Sequence, residues 1–169
     1  MPYMNSHNVQ QLVNRYSDMI LRISFMQLKS TDDAEDICQD VFMKLLTGDF
    51  QFESEAHEKA WIIRTTINAC RDHMRTSFWK RATVLDKAYG IHATMQQDSE
   101  LLEIIMTLPK NYRTSIYLHY YEGYSVNEIG TMLNKPANTI SAYLSRGRKK
   151  LRPLLEDAYD LQCSSLERS

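Results

Sequence analysis

Apolar residues recur every three or four positions along much of the chain, and this spacing predicts helices rather than strands. The first helix is predicted over residues 8–29, where the apolar set is Val9, Leu12, Val13, Tyr16, Ile20, Ile23 and Met26. Turn and cap residues at 30–33 precede a second helix that runs to about Leu46. Thr47-Gly48 ends that second helix.

A third helix is predicted from Glu58 to Phe78, after a polar loop from Asp49 to His57. The next stretch, residues 80–97, lacks a sustained period and is predicted to be a flexible linker. The second half then begins near Asp98 and ends in a polar tail, residues 159–169. The expected organisation is therefore two small all-α domains, residues 1–79 and 98–158, joined by the linker.

Shorter helices with clear boundary signals make up the second half. Helices are predicted over 100–107 and 110–121, and Leu108-Pro109 separates them because a residue before proline disfavours the α region. Ser125 and Glu128 form a capping box for a helix that ends at Asn134.

Lys135-Pro136-Ala137 forms a turn, and Asn138 is expected to cap a last helix that Pro153 kinks or ends. Two short helices across a tight turn, the second of them basic, are typical of a helix-turn-helix.

Charge is strongly segregated along the chain, although the net charge is only −1. Residues 31–58 carry nine acids and one base, residues 59–81 carry six bases and one acid, and residues 110–152 carry eight bases and two acids. Each zone alone fits a solvated helix face. Together they indicate two anionic contacts and one basic partner.

The last predicted helix separates an apolar face from a polar, basic one. Ile140, Leu144 and Leu151 share the apolar face at ~100° per residue. The opposite face carries Asn138, Ala142, Ser145, Arg146 and Lys149, and no acid occurs between Asn138 and Arg152. Such a helix fits the DNA major groove, where Arg, Asn and Ser bond base edges and further cations meet phosphates. A basic surface helix without DNA contacts is the plainer alternative.

The third helix carries a second polar stripe along one face, formed by Trp61, Arg64, Asn68, Arg71 and Arg75. Aromatic and basic groups on one strip suit unpaired or melting DNA. A core tryptophan with solvated arginines remains the alternative. On the second helix, Asp33, Asp36 and Asp40 group together. Their mutual repulsion suggests a basic partner, and a solvated acidic face is the default alternative.

Composition argues against several other classes of protein. Cys38, Cys70 and Cys163 lie far apart and match no zinc or redox spacing, so they are expected to be reduced thiols. No nucleophile, nucleotide or metal site is evident, and no enzymatic activity, cofactor or small-molecule substrate is expected. No apolar run approaches a membrane span and no secretory signal is present, so a cytoplasmic protein without membrane insertion is predicted.

Several motifs together resemble the extracytoplasmic-function sigma factors, which are RNA polymerase sigma subunits of the sigma-70 family. The segment 33–42 (DAEDICQDVF) resembles region 2.2, and Ala60-Trp-Ile-Ile-Arg64 with Ile67-Asn68-Ala69 resembles regions 2.3–2.4. In the second half, 108–113 (LPKNYR), 122–129 (EGYSVNEI) and 144–148 (LSRGR) resemble region 4. The resemblance covers about residues 8–156, and the first domain corresponds to region 2 and the second to region 4.

The resemblance implies a function and a role for each surface. The protein would direct core polymerase to promoters, reading the −35 duplex and melting the −10 element. The β′ clamp helices of the core would contact Asp33, Glu35, Asp36, Gln39, Asp40 and Phe42. The −10 strand would contact Phe52, Ser54, His57, Lys59, Trp61, Arg64, Asn68, Arg71 and Arg75. Region 4 would contact the β flap and would read −35 DNA with Asn138, Thr139, Ser141, Ala142, Ser145, Arg146, Arg148 and Lys149.

Departures from the family pattern keep alternatives open at this point. Ser141 and Tyr143 stand where basic residues are frequent, and the −10 loop is rich in acid. A stand-alone helix-turn-helix regulator and a protein-interaction module are the two rivals, with a nuclease as a distant third. The linker and the family's habits also predict an anti-sigma partner and a state in which both DNA-facing surfaces are hidden.

Overall fold

The computed structural model describes residues 6–77 and 99–166, with side chains over 9–76 and 100–158. All regular structure in these two stretches is helical, as predicted. The chain divides into two compact units, Met1–Thr94 and Met95–Ser169. The expected linker, residues 80–97, lies outside the described residues, so its boundaries stay a prediction.

Over residues 6–77 the first unit forms three helices, α1 (Ser6–Leu28), α2 (Thr31–Thr47) and α3 (Glu55–Ser77), and each packs against the other two. Their shared core is made by Tyr16, Ile20, Ile23, Ile37, Val41, Leu45, Ile63, Ile67 and Cys70. The inner face of α2 consists of Ala34, Ile37, Cys38, Val41 and Leu45, which are all buried. The helical spacing seen in the sequence therefore places one face of every helix in a common core.

Local capping explains where α2 begins and ends. The hydroxyl of Ser30 accepts a hydrogen bond from the Asp33 backbone N–H at 3.2 Å, which satisfies one unpaired donor of the first turn. At the other end the Gly48 backbone N–H bonds the Lys44 carbonyl, directly after Thr47. The predicted end of α2 is confirmed. Its start lies earlier than predicted, because residues 31–33 form the first turn of the helix rather than the turn before it.

The start of α3 was predicted three residues too late. Ser54 Oγ accepts the His57 backbone N–H at 3.1 Å, and the Ser54 carbonyl accepts the N–H of Glu58. Ser54 is thus the N-cap, and Glu55 to His57 form the first turn rather than the end of the loop. Acids are favourable there because they lie at the positive end of the helix dipole.

The second unit contains α4 (Ser99–Met106), α5 (Lys110–Ile116), a π-helical segment (Tyr117–Tyr121), α6 (Val126–Leu133) and α7 (Ala137–Leu166). The capping box of α6 is confirmed, since Ser125 and Glu128 exchange both hydrogen bonds. Sequence periodicity predicted one continuous helix over 110–121 and did not indicate the change to π geometry. Helices α5 and α6 both pack against α7, whose buried residues Ile140, Leu144 and Leu151 are those predicted.

The turn between α6 and α7 closes tightly over Gly130. A Cβ at Gly130 would lie 2.7 Å from the carbonyl oxygen of Lys135, so only glycine fits without a backbone shift. The Lys135 N–H in turn bonds the Gly130 carbonyl at 2.8 Å. Asn134 takes a left-handed conformation with φ 55°, which asparagine tolerates better than most residues.

One expectation about α7, the cap at Asn138, is wrong, and of the two predicted effects of Pro153 only the kink stays a prediction. Asn138 does not cap it, because the Pro136 carbonyl already accepts the N–H of Ile140 and Ala137 is the first helical residue. Pro153 does not end it, because the helix continues to Leu166. Proline removes one N–H bond, to the carbonyl of Lys149, and at this exposed position water can serve that carbonyl.

Candidate protein and nucleic-acid interfaces

The outer side of α2 is acidic and largely exposed. Of the six residues predicted there, Glu35, Asp36, Gln39 and Asp40 are exposed, while Asp33 and Phe42 are half-buried. The carboxylate of Asp33 lies 3.3 Å from Nε2 of His73 on α3, a contact that becomes an ion pair when the histidine is protonated. The acids further along α2 are therefore the ones best placed to meet a partner.

Two apolar side chains extend this acidic surface and were not predicted. Met43 is 56% exposed and Leu46 is 36% exposed, one and two turns beyond Gln39 on α2. Large exposed apolar groups beside charges are typical of protein interfaces. The signal for them was present in the sequence as apolar residues outside the buried stripe. We name this surface, made of Asp36, Gln39, Asp40, Met43 and Leu46, the acidic face.

An aromatic cluster covers the beginning of α3. The ring of Trp61 lies 4.4 Å from that of Phe50 and 5.7 Å from that of Phe52, centroid to centroid. Phe52 also meets His57 edge-on at 5.5 Å. Phe50 is 40% exposed and was absent from the predicted site. The residues expected to contact the −10 strand therefore include a preformed aromatic platform, to which Phe50 contributes.

Polar contacts fix the loop that carries this cluster. Nδ1 of His57 accepts the backbone N–H of Glu53 at 3.1 Å, and Ser54 caps α3 as described above. The hydroxyl of Tyr16 on α1 donates to Glu58 Oε1 at 2.7 Å, and Arg15 lies 3.5 Å from Glu55. Burial first, then Glu58, raises the pKa of Tyr16 to about 12. Two predicted site residues, Ser54 and His57, thus also hold the loop in shape.

The predicted stripe continues along α3 from Trp61, which is half-buried. Arg64, Asn68 and Arg75 are exposed and Arg71 and Lys59 are half-buried. Arg75 Nη2 lies 3.0 Å from Asp72 Oδ1, an exposed pair that contributes little to stability. On the opposite side of α3, Ile63, Ile67 and Cys70 are buried, while Met74 is half-buried.

The polar face of α7 is open along the described surface of the second unit. Asn138, Ser141, Ser145, Arg146, Arg148 and Lys149 are exposed, and Thr139 and Ala142 are half-buried. Arg148 is held at one side by Tyr120, whose hydroxyl accepts a hydrogen bond from Nη1 at 2.8 Å. Lys150 lies 5.9 Å from the ring of Tyr112, on the side that faces α5. We name the set Asn138, Ser141, Ala142, Ser145, Arg146 and Lys149 the basic face.

One arginine of the second unit is structural. Arg113 is buried and donates from Nη1 to the Leu108 carbonyl at 2.8 Å, which ties the Leu108-Pro109 turn to α5. Burial lowers the pKa of the Arg113 guanidinium, which stays charged because an arginine pKa is so high. Arg113, the arginine of the 108–113 motif, therefore stabilises the fold and does not belong to the basic face.

The described residues offer little for metal or thiol chemistry. Cys38 and Cys70 are free and buried, and burial, followed by the charges of Asp18 and Glu35, raises the pKa of Cys38 to about 11. A thiol with so high a pKa is a poor nucleophile at neutral pH. Within 6–77 and 99–166 no group of three or more potential ligands could hold a metal ion.

No helix in those stretches has the length and apolar character that crossing a membrane requires.

Comparison with known proteins identifies both units. Residues 12–80 match the family model for sigma-70 region 2, and residues 98–151 match that for sigma-70 region 4. The two matches follow the order of the structural units and together cover more than two thirds of the chain. The chain belongs to the sigma-70 family.

The relatives define the type of sigma factor. The ECF RNA polymerase sigma factor SigW of Bacillus subtilis is 27% identical over 164 residues, which cover 86% of this chain and 88% of SigW. The present chain is likewise an RNA polymerase sigma factor of the extracytoplasmic-function (ECF) type, and it directs promoter-specific transcription.

Solved structures share the fold. The sigma factor RpoE, in a co-crystal with the anti-sigma factor NepR from Bartonella quintana, is 22% identical with a TM-score of 0.70 over 88% of this chain and 97% of RpoE. CnrH, in complex with the cytosolic domain of CnrY, is 21% identical with a TM-score of 0.61 over 91% of each chain.

Proposed function

We propose that the acidic face of α2 binds the clamp helices of the β′ subunit of core polymerase. The support is the arrangement of exposed carboxylates and apolar side chains on one side of a helix whose other side is buried. Acids one turn apart repel each other slightly, and a basic partner turns that repulsion into attraction. The predicted contacts of Asp33, Glu35 and Phe42 lie at the edge of this face.

The −10 strand is proposed to contact the aromatic cluster and the exposed side of α3. Rings on which bases can stack lie at one end, and Arg64, Asn68, Arg71 and Arg75 follow along the helix. A base that leaves the duplex loses stacking, and binding to such a platform compensates for that loss. The protein would need no catalytic group for this step, and we propose that it has no enzymatic activity of its own.

The basic face of α7 is proposed to read the −35 element in the major groove. The observation that supports this is the set of exposed polar and basic side chains between Asn138 and Lys149, with no acid among them, on the second helix of a helix-turn-helix. Region 4 would also contact the β flap. We further propose that the protein works in the cytoplasm and that residues 80–97 link the two units.

An anti-sigma partner is proposed because RpoE, which shares this fold, was crystallised with the anti-sigma factor NepR. A partner of this kind would compete with core polymerase for the acidic face. Competition is measurable as displacement of the full chain from immobilised core. A partner that binds the holoenzyme without displacing the chain would contradict this proposal.

The experiment that tests core binding is a charge reversal on the acidic face. D36K/D40K should abolish binding of the full chain to purified core polymerase, measured by biolayer interferometry. E100K/E103K changes net charge equally, at exposed positions of α4, and should bind core as the wild type does. Equal losses in both variants would show a general charge effect, and no loss in either would overturn the assignment of the acidic face.

A further inference from the structure

The hydrogen bond between Tyr120 and Arg148 joins two elements that are 28 residues apart in sequence. Nη1 of Arg148 in α7 donates to the hydroxyl of Tyr120 at 2.8 Å. Tyr120 itself is open to solvent, since 57% of its surface is exposed. The guanidinium is therefore restrained at the surface by a neutral acceptor, and its positive charge is left uncompensated by that partner.

The backbone around Tyr120 holds its ring in place. In the π-helical segment the Glu122 N–H bonds the Tyr117 carbonyl at 3.1 Å, and the Tyr124 N–H bonds the Leu118 carbonyl at 3.0 Å. His119 Nδ1 lies 2.7 Å from the Tyr124 carbonyl, and its imidazole packs edge-on against Tyr120 at 4.9 Å. π-helical turns are frequent at functional sites because they redirect a side chain. The phenol is thus positioned before any ligand arrives.

The chemistry of the pair suits an oxyanion. The tyrosine hydroxyl accepts one bond from Arg148 and keeps its own hydrogen for donation. The guanidinium retains further N–H donors in a planar fork that matches phosphate geometry. At ~100° per residue Arg148 lies on the edge of the basic face, about 20° from Ser141 and two turns further along α7, where a phosphate contact is expected.

We propose that Tyr120 and Arg148 together bind one backbone phosphate of promoter DNA, beside the basic face of α7. This proposal rests on the proposed function, in which α7 lies in the major groove of the −35 element. Tyr120 then contributes to affinity for every DNA sequence and to the register of α7, while the basic face discriminates between bases. Preorganisation of Arg148 by Tyr120 lowers the entropy that the arginine loses on binding.

The test uses holoenzyme reconstituted from core polymerase and the full chain. Fluorescence anisotropy measures its affinity for a promoter duplex selected from a random library, and for the same duplex with a scrambled −35 element, over a series of KCl concentrations. The variants are Y120F, R148M and Y120F/R148M. Y121F is the matched control, because Tyr121 is the adjacent tyrosine and is also 57% exposed.

Y120F should weaken binding to both duplexes alike, by about three- to tenfold, as expected for one hydrogen bond. The dependence of affinity on salt should stay unchanged, because Y120F removes no charge. R148M should lower the slope of log K against log salt by about 0.9, the loss of one neutralised phosphate. Y120F should cost less when Arg148 is already Met, and Y121F should match the wild type.

Two results would overturn the site. Y120F binding as tightly as Y121F would remove Tyr120 from the interface. A loss confined to the unscrambled duplex would make the contact a base contact. Failure of the proposed −35 role is a separate observation, since the wild-type holoenzyme would then bind both duplexes equally. Thermal unfolding followed by circular dichroism verifies that each variant is folded.

Discussion

Helices α2 and α7 follow the same plan in the core and differ on their outer faces. Each buries an apolar stripe, with Ile37 and Val41 in α2 and Ile140 and Leu144 in α7. The outer side of α2 carries carboxylates, and that of α7 carries only cations and neutral polar groups as far as Arg152. The buried stripe determines where each helix packs, and the outer charge determines which partner it can approach.

The two outer faces also differ in how their charged groups are held. Asp33 at the start of α2 faces His73 across the first unit, at 3.3 Å. Arg148 in α7 is held by a neutral phenol, so the hydrogen bond leaves its charge available. A protein that binds both a basic protein surface and an anionic polymer benefits from this separation, because opposite charges on one surface would weaken both contacts.

The largest expected effect separates base contacts from phosphate contacts within α7. R146A should cost about 1–3 kcal/mol of discrimination at one −35 base pair, if Arg146 bonds a guanine bidentately. R152A, the same substitution further along the helix, should weaken all duplexes alike and lower the salt slope by about 0.9. Holoenzyme binding to a set of single-base −35 variants measures both effects.

Equal behaviour of R146A and R152A would break the distinction between the two parts of α7. Core binding serves as the control, because neither substitution touches the acidic face. Because region 4 is also proposed to contact the β flap, a loss of core affinity in either variant would place that contact on α7 and would contradict an α7 face that binds DNA alone.

An effect of similar size, on stability rather than on DNA recognition, is expected at the glycines that pack against α5 and the turn. G130A should destabilise the second unit by about 1–3 kcal/mol, because its new Cβ meets the Lys135 carbonyl at 2.7 Å. G147A should cost less, because the atom that the new Cβ meets, Cδ1 of Ile116, ends a side chain that can rotate. Native-state hydrogen exchange of the helix amides measures the loss of stability in each variant.

The exchange rates of α1 to α3 provide an internal control for both glycine variants. Those helices belong to the other compact unit and should be unaffected. A larger loss in G147A than in G130A would mean that the contact of α7 with α5 is stiffer than the turn.

The smallest effect is a pH dependence confined to the first unit. The pKa of Tyr16 rises from 10.0 to about 12 in the folded protein, so the folded state holds this proton more tightly than the unfolded chain. The stabilisation is complete below about pH 10 and is lost as the pH rises through about 12. The free energy of unfolding, measured with denaturant, should therefore fall more steeply with pH in this window for the wild type than for Y16F. Identical falls would contradict the account of Tyr16.

Features set by near neighbours in the sequence were predicted well. Ser30 and Ser125 cap the helices that follow them, and Gly48 stops α2, because each signal acts within one turn. The buried stripe of α7 was also correct, since spacing alone determines it. The cap at Ser54 was missed because the acids around it were interpreted as a polar loop.

Features set by tertiary contacts were not predicted. The π-helical segment preserves the apolar spacing of a helix, so periodicity could not distinguish it from α geometry. Phe50 was overlooked because only the packing against Trp61 reveals its place. The bond between Tyr120 and Arg148 depends on how α7 packs against α5. Residue types at a surface could be predicted, but the partners that orient them could not.

Run-off transcription with purified core polymerase and a random promoter library tests the central claim most directly. The account predicts specific transcripts with the wild-type chain. D36K/D40K should abolish them through loss of core binding, and E100K/E103K should retain them. Transcripts that persist in D36K/D40K would contradict the assignment of the acidic face of α2 to core polymerase.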